Sequence, residues 1–231
     1  MIREVNVKEI TENIKEMCIE ANYTLSPDMD KAMKKAAEEE KSELGTKILN
    51  QLQENLVIAD SEKIPICQDT GMAVVFVDIG QEIHFTGGQL EEAIHEGVRQ
   101  GYTEGYLRKS VVKDPIERVN TKDNTPAIIH YNIVPGEKIK ITVAPKGFGS
   151  ENMSRIFMLK PADGIEGVKN AILTAVKDAG PNACPPMVIG VGIGGTFEKS
   201  AILAKKALTR NLEEPSEIPY VRELEKEMLE T

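Results

Sequence analysis

The chain of 231 residues has no tryptophan, few other aromatic residues and only three cysteines. With 4% aromatic residues it offers few surfaces on which exposed nucleic-acid bases could stack. Cys18, Cys67 and Cys184 are odd in number and too sparse for the framework of a disulfide-rich domain. A cysteine with a function in this protein is therefore expected to act as a thiolate.

Long apolar runs and an excess of positive charge are also missing. With 28% charged residues, no window approaches the roughly 18 apolar residues that a membrane-spanning helix needs. Lys and Arg number 28 against 37 Asp and Glu, and this net charge of −9 gives no general attraction to nucleic acid or anionic lipid. The first residues lack the basic start and apolar middle of a secretory signal. These absences predict a cytoplasmic protein with neither a membrane nor a nucleic-acid partner.

The first part of the chain, to about residue 62, reads as helices. Apolar residues, Cys18 among them, recur there at three- and four-residue spacing, which places Cys18 in the core. Pro27 marks the first position of a second helix. In a later helix, Gly97 and Gly101 indicate close packing against a neighbour.

Strands are predicted farther along the chain. Met72–Val77 is a β-prone apolar run. Residues 127–134 and 138–143 flank Pro135-Gly136, which predicts a hairpin with antiparallel pairing. We expect residues 1–231 to form one α+β domain, in which the helical N-terminal layer packs on a mixed, largely antiparallel sheet with further helices.

Two cysteines lie where ligands and nucleophiles tend to lie. Cys67 and Cys184 each occupy a loop rich in Pro and Gly at the boundary of an element, and Pro185 biases Cys184 toward an extended backbone. They are either metal-binding thiolates or small buried apolar residues, as free cysteines usually are. The chain has no Cys-x-x-Cys, and its histidines show neither zinc-type spacing nor an assignable role in a cysteine hydrolase.

A glycine pattern provides a competing interpretation. Met187–Val191 is an apolar run that predicts a buried strand. Gly190–Gly195 at its end fits G-x-G-x-x-G, and Glu213 lies near the usual acidic offset of a dinucleotide site. Glu213–Ser216, however, is acidic and loop-like where that fold needs a second strand. Backbone amides near Thr196 could still hold a carboxylate at a helix N-terminus.

Polar residues beside the loops could bind an acidic substrate. Arg108 and Lys146 are candidate cations, of which Arg108 is the better carboxylate clamp because its planar fork binds bidentately. Gln68 and Asp69 directly follow Cys67, and Asp69 could equally cap a turn. Any one of these charged residues could instead be a solvated surface residue.

Several segments together resemble one enzyme family. They are Pro65–Gly71, Leu107–Ser110, Val119–Thr121, Asn124–Ala127, Lys146–Asn152, Ala183–Pro186 and Gly194–Thr196. In order and spacing they resemble the iron–sulfur (class I) fumarate hydratases and the related tartrate dehydratases. The likeness covers most of the chain and is to the alpha subunit of the two-subunit form, equivalent to the N-terminal region of the fused form.

The resemblance implies a hydro-lyase that reversibly hydrates fumarate to L-malate, with L-tartrate dehydratase as the alternative. It also implies a 4Fe–4S cluster held by three cysteines, of which Cys67 and Cys184 would be two. It places four positions in contact with the dicarboxylate: Gln68, Asp69, Arg108 and the backbone of Gly149. The catalytic base is expected in a partner beta subunit, so no catalytic residue is assigned in this chain.

The third cysteine of the family lies well beyond the Cys-Pro-Pro segment, and this chain has no cysteine after Cys184. We therefore expect a C-terminally shortened alpha subunit that holds a cluster poorly or not at all by itself. It should be inactive without the beta subunit, and the alpha-beta unit should self-associate. Two alternatives of another class are a nucleotide-binding protein built on Gly190–Gly195 and a non-catalytic assembly subunit in which Cys67 and Cys184 are buried.

Overall fold

Capping signals determine where the first helices begin. In the computed structural model, which describes residues 2–231, the Asn6 side chain accepts the Lys8 N–H, the Ser42 hydroxyl accepts the Gly45 N–H, and Pro27 opens the helix between them. The elements in chain order are β1 (Arg3–Asn6), α1 (Val7–Tyr23), α2 (Pro27–Glu39), α3 (Glu43–Glu62), β2 (Met72–Gly80), β3 (Ile83–Thr86), α4 (Leu90–Glu104), β4 (Ile128–Val134), β5 (Ile139–Lys146), α5 (Phe148–Glu151), α6 (Gly164–Ala179), α7 (Phe197–Ala207) and α8 (Pro219–Glu230). The predicted helical N-terminal part is confirmed, with a short strand added before it.

The chain divides into two compact units. The first comprises the residues up to Ser26 together with Lys34–Phe148, and the second comprises Pro27–Met33 together with Gly149–Thr231. That residues 1–231 form one domain stays a prediction. Among the described residues, no helix is both long and apolar enough to span a bilayer.

The main sheet of the first unit has the strand order β4-β2-β5. β2 runs parallel to β4 and antiparallel to β5, and β1 pairs in parallel with β3 in a separate two-stranded sheet. The α+β class and the mixed sheet are therefore confirmed. The expectation of largely antiparallel pairing is wrong, because two of the three described strand pairs are parallel. The direct hairpin between β4 and β5 is wrong, because β2 lies between them.

The central position of β2 follows from its composition. Consecutive residues Ala73–Val77 are each 5% exposed or less, so both faces of β2 are covered, as suits a strand paired on both sides. The link from β4 to β5 crosses the end of β2, where the Gly80 N–H donates to Lys138 O at 2.8 Å and the Gln81 N–H donates to Val134 O at 2.8 Å. A Cβ on Gly80 would lie 2.4 Å from Gly136 O, so glycine is needed at this crossing.

Helices α1 and α4 pack together and contribute, with β2, to the core of this unit. A Cβ on Gly97 would lie 2.7 Å from Thr11 O, and one on Gly101 would lie 2.8 Å from the Cβ of Cys18, which confirms the close packing predicted from these glycines. Cys18 is 0% exposed within this core, as predicted. Each fully buried apolar side chain of such a cluster stabilises the fold by about 1.5–3 kcal/mol.

In the second unit, the glycine-rich segment lies against α7. A Cβ on Gly190 would lie 2.2 Å from Ala204 O, and one on Gly192 would lie 2.0 Å from Ser200 O. The strand expected over Met187–Val191 is absent from the described residues, where this run is irregular and Ile189 is 52% exposed. These glycines therefore serve close packing of the backbone on a helix.

Candidate functional site

The loop before β2 presents Cys67 to solvent. Lys63, in the left-handed conformation, ends α3, and the loop is fixed by the Ile66 N–H, which donates to Asn22 O at 2.8 Å. Cys67 is exposed, and its Sγ accepts the Asp69 N–H at 3.4 Å. Its thiol also lies 3.4 Å from Oε1 of Gln68, which is itself exposed. Such N–H contacts are typical of sulfur atoms that ligate metal.

Asp69 joins this loop to the segment that follows β5. Its Oδ2 accepts the Phe148 N–H at 2.9 Å, and a Cβ on Gly147 would lie 3.0 Å from the same oxygen. The carboxylate is half-buried. Asp69 therefore has the loop-capping role that the sequence left open, and its contact with substrate stays a prediction.

Thr70 connects the Cys67 loop to Arg108. The Thr70 hydroxyl accepts the Arg108 N–H at 2.9 Å, and the Tyr102 hydroxyl donates to Thr70 O at 2.9 Å. The Arg108 side chain is exposed, and within residues 2–231 its guanidinium forms no hydrogen bond or ion pair. The structure thus holds the Arg108 backbone beside the loop of Cys67 and Gln68, and among residues 2–231 the guanidinium has no protein partner.

The third loop of this cluster runs from α4 to β4, and it contains both Arg108 and Asn124. Asn124 is 0% exposed, with hydrogen bonds to backbone atoms of Ser110, Val111 and Gly71. The sequence analysis gave no role to Asn124, Thr70 or Tyr102. The usable signal for Asn124 was its residue type, because Asn is among the few residues that tolerate the left-handed backbone it adopts, with φ of 62°.

The neighbouring Asp123 anchors this third loop to α4. Its Oδ2 accepts from Arg99 Nε at 3.0 Å, and its Oδ1 accepts from the N–H and hydroxyl of Thr125 at 3.0 and 2.8 Å. Partial burial alone would raise the pKa of Asp123, but the hydrogen bonds from Thr125 and Arg99 outweigh burial and lower it to about 2. The carboxylate is therefore ionised at neutral pH and holds the loop in place.

The other predicted site residues belong to the second unit. Gly149 is exposed in the single turn α5, and a Cβ there would lie 3.7 Å from Asn182 O, in ordinary contact. Cys184 is exposed and ends a short 3-10 turn, with its N–H donating to Pro181 O at 3.1 Å. Its backbone is left-handed, with φ of 58° and ψ of 71°, so the extended conformation expected before Pro185 is wrong. The positive ψ still avoids the right-handed helical region that proline disfavours.

The exposure of Cys67 and Cys184 overturns the interpretation that they are buried apolar residues. Cys18 cannot join them, because it is 0% exposed and burial raises the pKa of its thiol to about 12. The described residues contain no group of three or more His, Cys, Asp or Glu side chains placed to hold a metal ion. The chain thus offers two suitable thiols and, by itself, does not fit a cluster that needs three.

Comparison with known proteins identifies the family. The model of the fumarate hydratase (Fumerase) family matches residues 11–231. The putative L(+)-tartrate dehydratase subunit alpha of Methanocaldococcus jannaschii is 41% identical over 228 residues, which are 96% of this chain and 80% of that protein. The L(+)-tartrate dehydratase subunit alpha of Escherichia coli strain UTI89 is 30% identical over 235 residues, 97% of this chain and 76% of that protein. The chain belongs to the fumarate hydratase (Fumerase) family.

Proposed function

We propose that this chain is the alpha subunit of an iron–sulfur hydro-lyase that dehydrates L-tartrate. Membership of the family supports the hydro-lyase reaction. Both relatives described above carry the name of a tartrate dehydratase alpha subunit, so the tartrate alternative is better supported than the fumarate reaction that the sequence analysis placed first. The description of the family keeps fumarate hydration as the second candidate.

One structural observation supports the proposal. The exposed Arg108 guanidinium lacks a partner among residues 2–231, and Thr70 holds its backbone beside the loop of Cys67 and Gln68. A guanidinium of this kind can bind a carboxylate through two parallel hydrogen bonds. The amide of Gln68 can donate to or accept from a substrate hydroxyl. A small hydroxylated dicarboxylate fits this combination.

Loss of water from L-tartrate removes a hydroxyl from one carbon and a proton from the next, and the resulting enol converts to a 2-oxo acid. In this reaction Arg108, Gln68 and Asp69, which all belong to the first unit, bind and orient the dicarboxylate. We place the catalytic base on a beta subunit, the partner that the word alpha in the relatives' names implies.

The cofactor requires more than this chain. Cys67 and Cys184 are exposed and would supply two of the three thiolates of a 4Fe–4S cluster. The buried Cys18 is unsuitable, so the third thiolate has to come from outside this sequence. We therefore assign no step of the reaction to a cluster bound by this chain alone.

The alternatives of another class lose their support. A dinucleotide site on Gly190–Gly195 needs a strand before the glycines, and the described residues have none there. The assembly-subunit interpretation required Cys67 and Cys184 to be buried, and both are exposed.

The test is a kinetic comparison on the complex purified with its beta subunit under anaerobic conditions. We expect kcat/KM for L-tartrate to exceed that for L-malate and fumarate, and the chain without the beta subunit to be inactive. Arg108→Lys keeps the charge but loses the bidentate fork. The fork is worth about 1.5–3 kcal/mol, so KM should rise about 10–150-fold. Arg118→Lys, at an exposed position, is the matched control. Equal KM values for the two variants would contradict the role of Arg108.

A further inference from the structure

We propose that Asn124 is a positioning residue that fixes the Arg108 segment against the Cys67 loop, and so sets the geometry in which the dicarboxylate is bound. This inference rests on the proposed function for its kinetic consequence. The link between the loops is a property of the chain itself.

The Asn124 side chain joins two separate backbone segments in the core. Its Oδ1 accepts the N–H of Ser110 at 2.8 Å and the N–H of Val111 at 3.1 Å. Its Nδ2 donates to Gly71 O at 3.0 Å. Because Asn124 is 0% exposed, water cannot replace these partners, and both ends of the amide are committed to them.

The residue type matches both demands of the position. An amide carries an acceptor and a donor on one short neutral side chain, as these three bonds require. The backbone of Asn124 is left-handed, with φ of 62°, which Asn tolerates better than most residues. Ionised aspartate could accept the two N–H groups but could not donate to Gly71 O, whereas glycine would suit the backbone and make none of the bonds.

These bonds act directly on the backbone around Arg108. The Arg108 N–H is held by Thr70 at 2.9 Å, and two residues later the Ser110 N–H is held by Asn124 at 2.8 Å. Thr70 belongs to the loop that carries Cys67. This loop ends at Gly71, whose carbonyl oxygen accepts the hydrogen bond from Asn124. Arg108 therefore leaves a backbone that is fixed on both sides, and Asn124 provides one of its attachments.

Asn124 is itself well anchored. Asp123 binds Arg99 of α4 at 3.0 Å and the N–H of Thr125 at 3.0 Å, so the residues on either side of Asn124 are tied down. Loss of the Asn124 side chain therefore removes one link between the two segments, while its own loop stays in place and the bond between Thr70 and Arg108 remains. This separation makes a test on the folded protein practical.

Two substitutions remove different parts of the link. Asn124→Asp keeps the acceptor for the amides of Ser110 and Val111 and loses the bond to the Cys67 loop, and Asn124→Gly loses everything. Asn13→Asp is the control for the first variant, because it makes the same chemical change at an exposed helix position. Lys122→Gly is the control for the second, because it also replaces a left-handed residue by glycine, at an exposed position.

With the beta subunit present, both Asn124 variants should raise KM for L-tartrate about tenfold and change kcat less than threefold, while the controls match the wild type. In hydrogen exchange on the chain alone, Asn124→Gly should speed exchange of the Ser110 and Val111 amides about tenfold, whereas Asn124→Asp should leave them protected. A merely structural role would lower the active fraction, and hence kcat, with KM unchanged.

The outcomes separate the two proposals. A wild-type complex that acts on neither L-tartrate nor fumarate overturns the proposed function, and the loop link is then decided by exchange alone: unchanged Ser110 and Val111 amides in Asn124→Gly overturn it. An active wild type with variant KM values within twofold overturns the positioning role and leaves the function standing. If neither Asn124 variant folds, Asn124 serves folding rather than positioning and the inference is wrong.

Discussion

Replacement of Gly71 by alanine should destabilise the first unit strongly, because two separate costs coincide at this residue. Gly71 has φ of 62°, and the left-handed conformation costs a residue with a Cβ about 1–2 kcal/mol. The added Cβ would also lie 2.1 Å from Lys146 O and 2.6 Å from the Gly147 N, and both of these are backbone atoms. Forcing extra volume into a packed region costs about 1–3 kcal/mol. The expected loss in free energy of unfolding is about 2–5 kcal/mol.

Gly136→Ala separates the two costs. Gly136 also has a positive φ, of 95°, but a Cβ there would meet nothing within 4 Å. Alanine at this position should therefore cost only the backbone part, about 1–2 kcal/mol. Both free energies of unfolding are measured by urea denaturation followed by circular dichroism. If Gly71→Ala is no more destabilising than Gly136→Ala, the strand end moves apart at little cost and the reasoning from the close contact is refuted.

Three further predictions concern buried and titratable groups. In the folded chain, Cys67 and Cys184 should react quickly with a thiol reagent and Cys18 only after unfolding, since its pKa is raised to about 12; three fast thiols would contradict this. The lowered pKa of Asp123 gives stability that is present above the ordinary value near 3.8 and is lost as pH falls toward 2. In urea titrations Asp123→Asn should therefore be destabilised at pH 6 and converge with wild type near pH 2; a constant difference argues against ionisation as the cause. Tyr102→Phe removes a buried hydrogen bond and should cost about 1–2 kcal/mol in free energy of unfolding, whereas no loss would show that bond to be unimportant.

Local signals in the sequence were enough for much of the fold. Pro27 predicted a helix start, and the spacing of apolar residues placed Cys18 in the core, because both effects act within a few residues. The paired glycines Gly97 and Gly101 predicted a close helix contact, although the partner helix could not be named. These predictions needed no knowledge of which elements meet.

The candidate site was accessible from the sequence only in part. The Pro- and Gly-rich loops marked Cys67 and Cys184 as candidates but left open whether they were buried, and the resemblance supplied roles for them and for Arg108. Thr70 carries no mark in the sequence, because its importance lies in one bond to Arg108, which is 38 residues away. Such partners are set by tertiary packing, which a local pattern does not contain.

The sequence did not show that β2 lies between β4 and β5, nor that Asn124 links two loops, and both were missed for the same reason. A hairpin leaves the position of β2 open, whereas the observed parallel pairing of β2 with β4 puts the beginnings of both strands at the same edge of the sheet. The Cys67 loop precedes β2 and the Asn124 loop precedes β4, so this pairing brings Asn124 within 3.0 Å of Gly71 O. Because β5 is antiparallel to β2, its end arrives at the same edge and brings Phe148 to Asp69. The strand order that places the most buried strand in the centre is therefore also what assembles the loops of the candidate site.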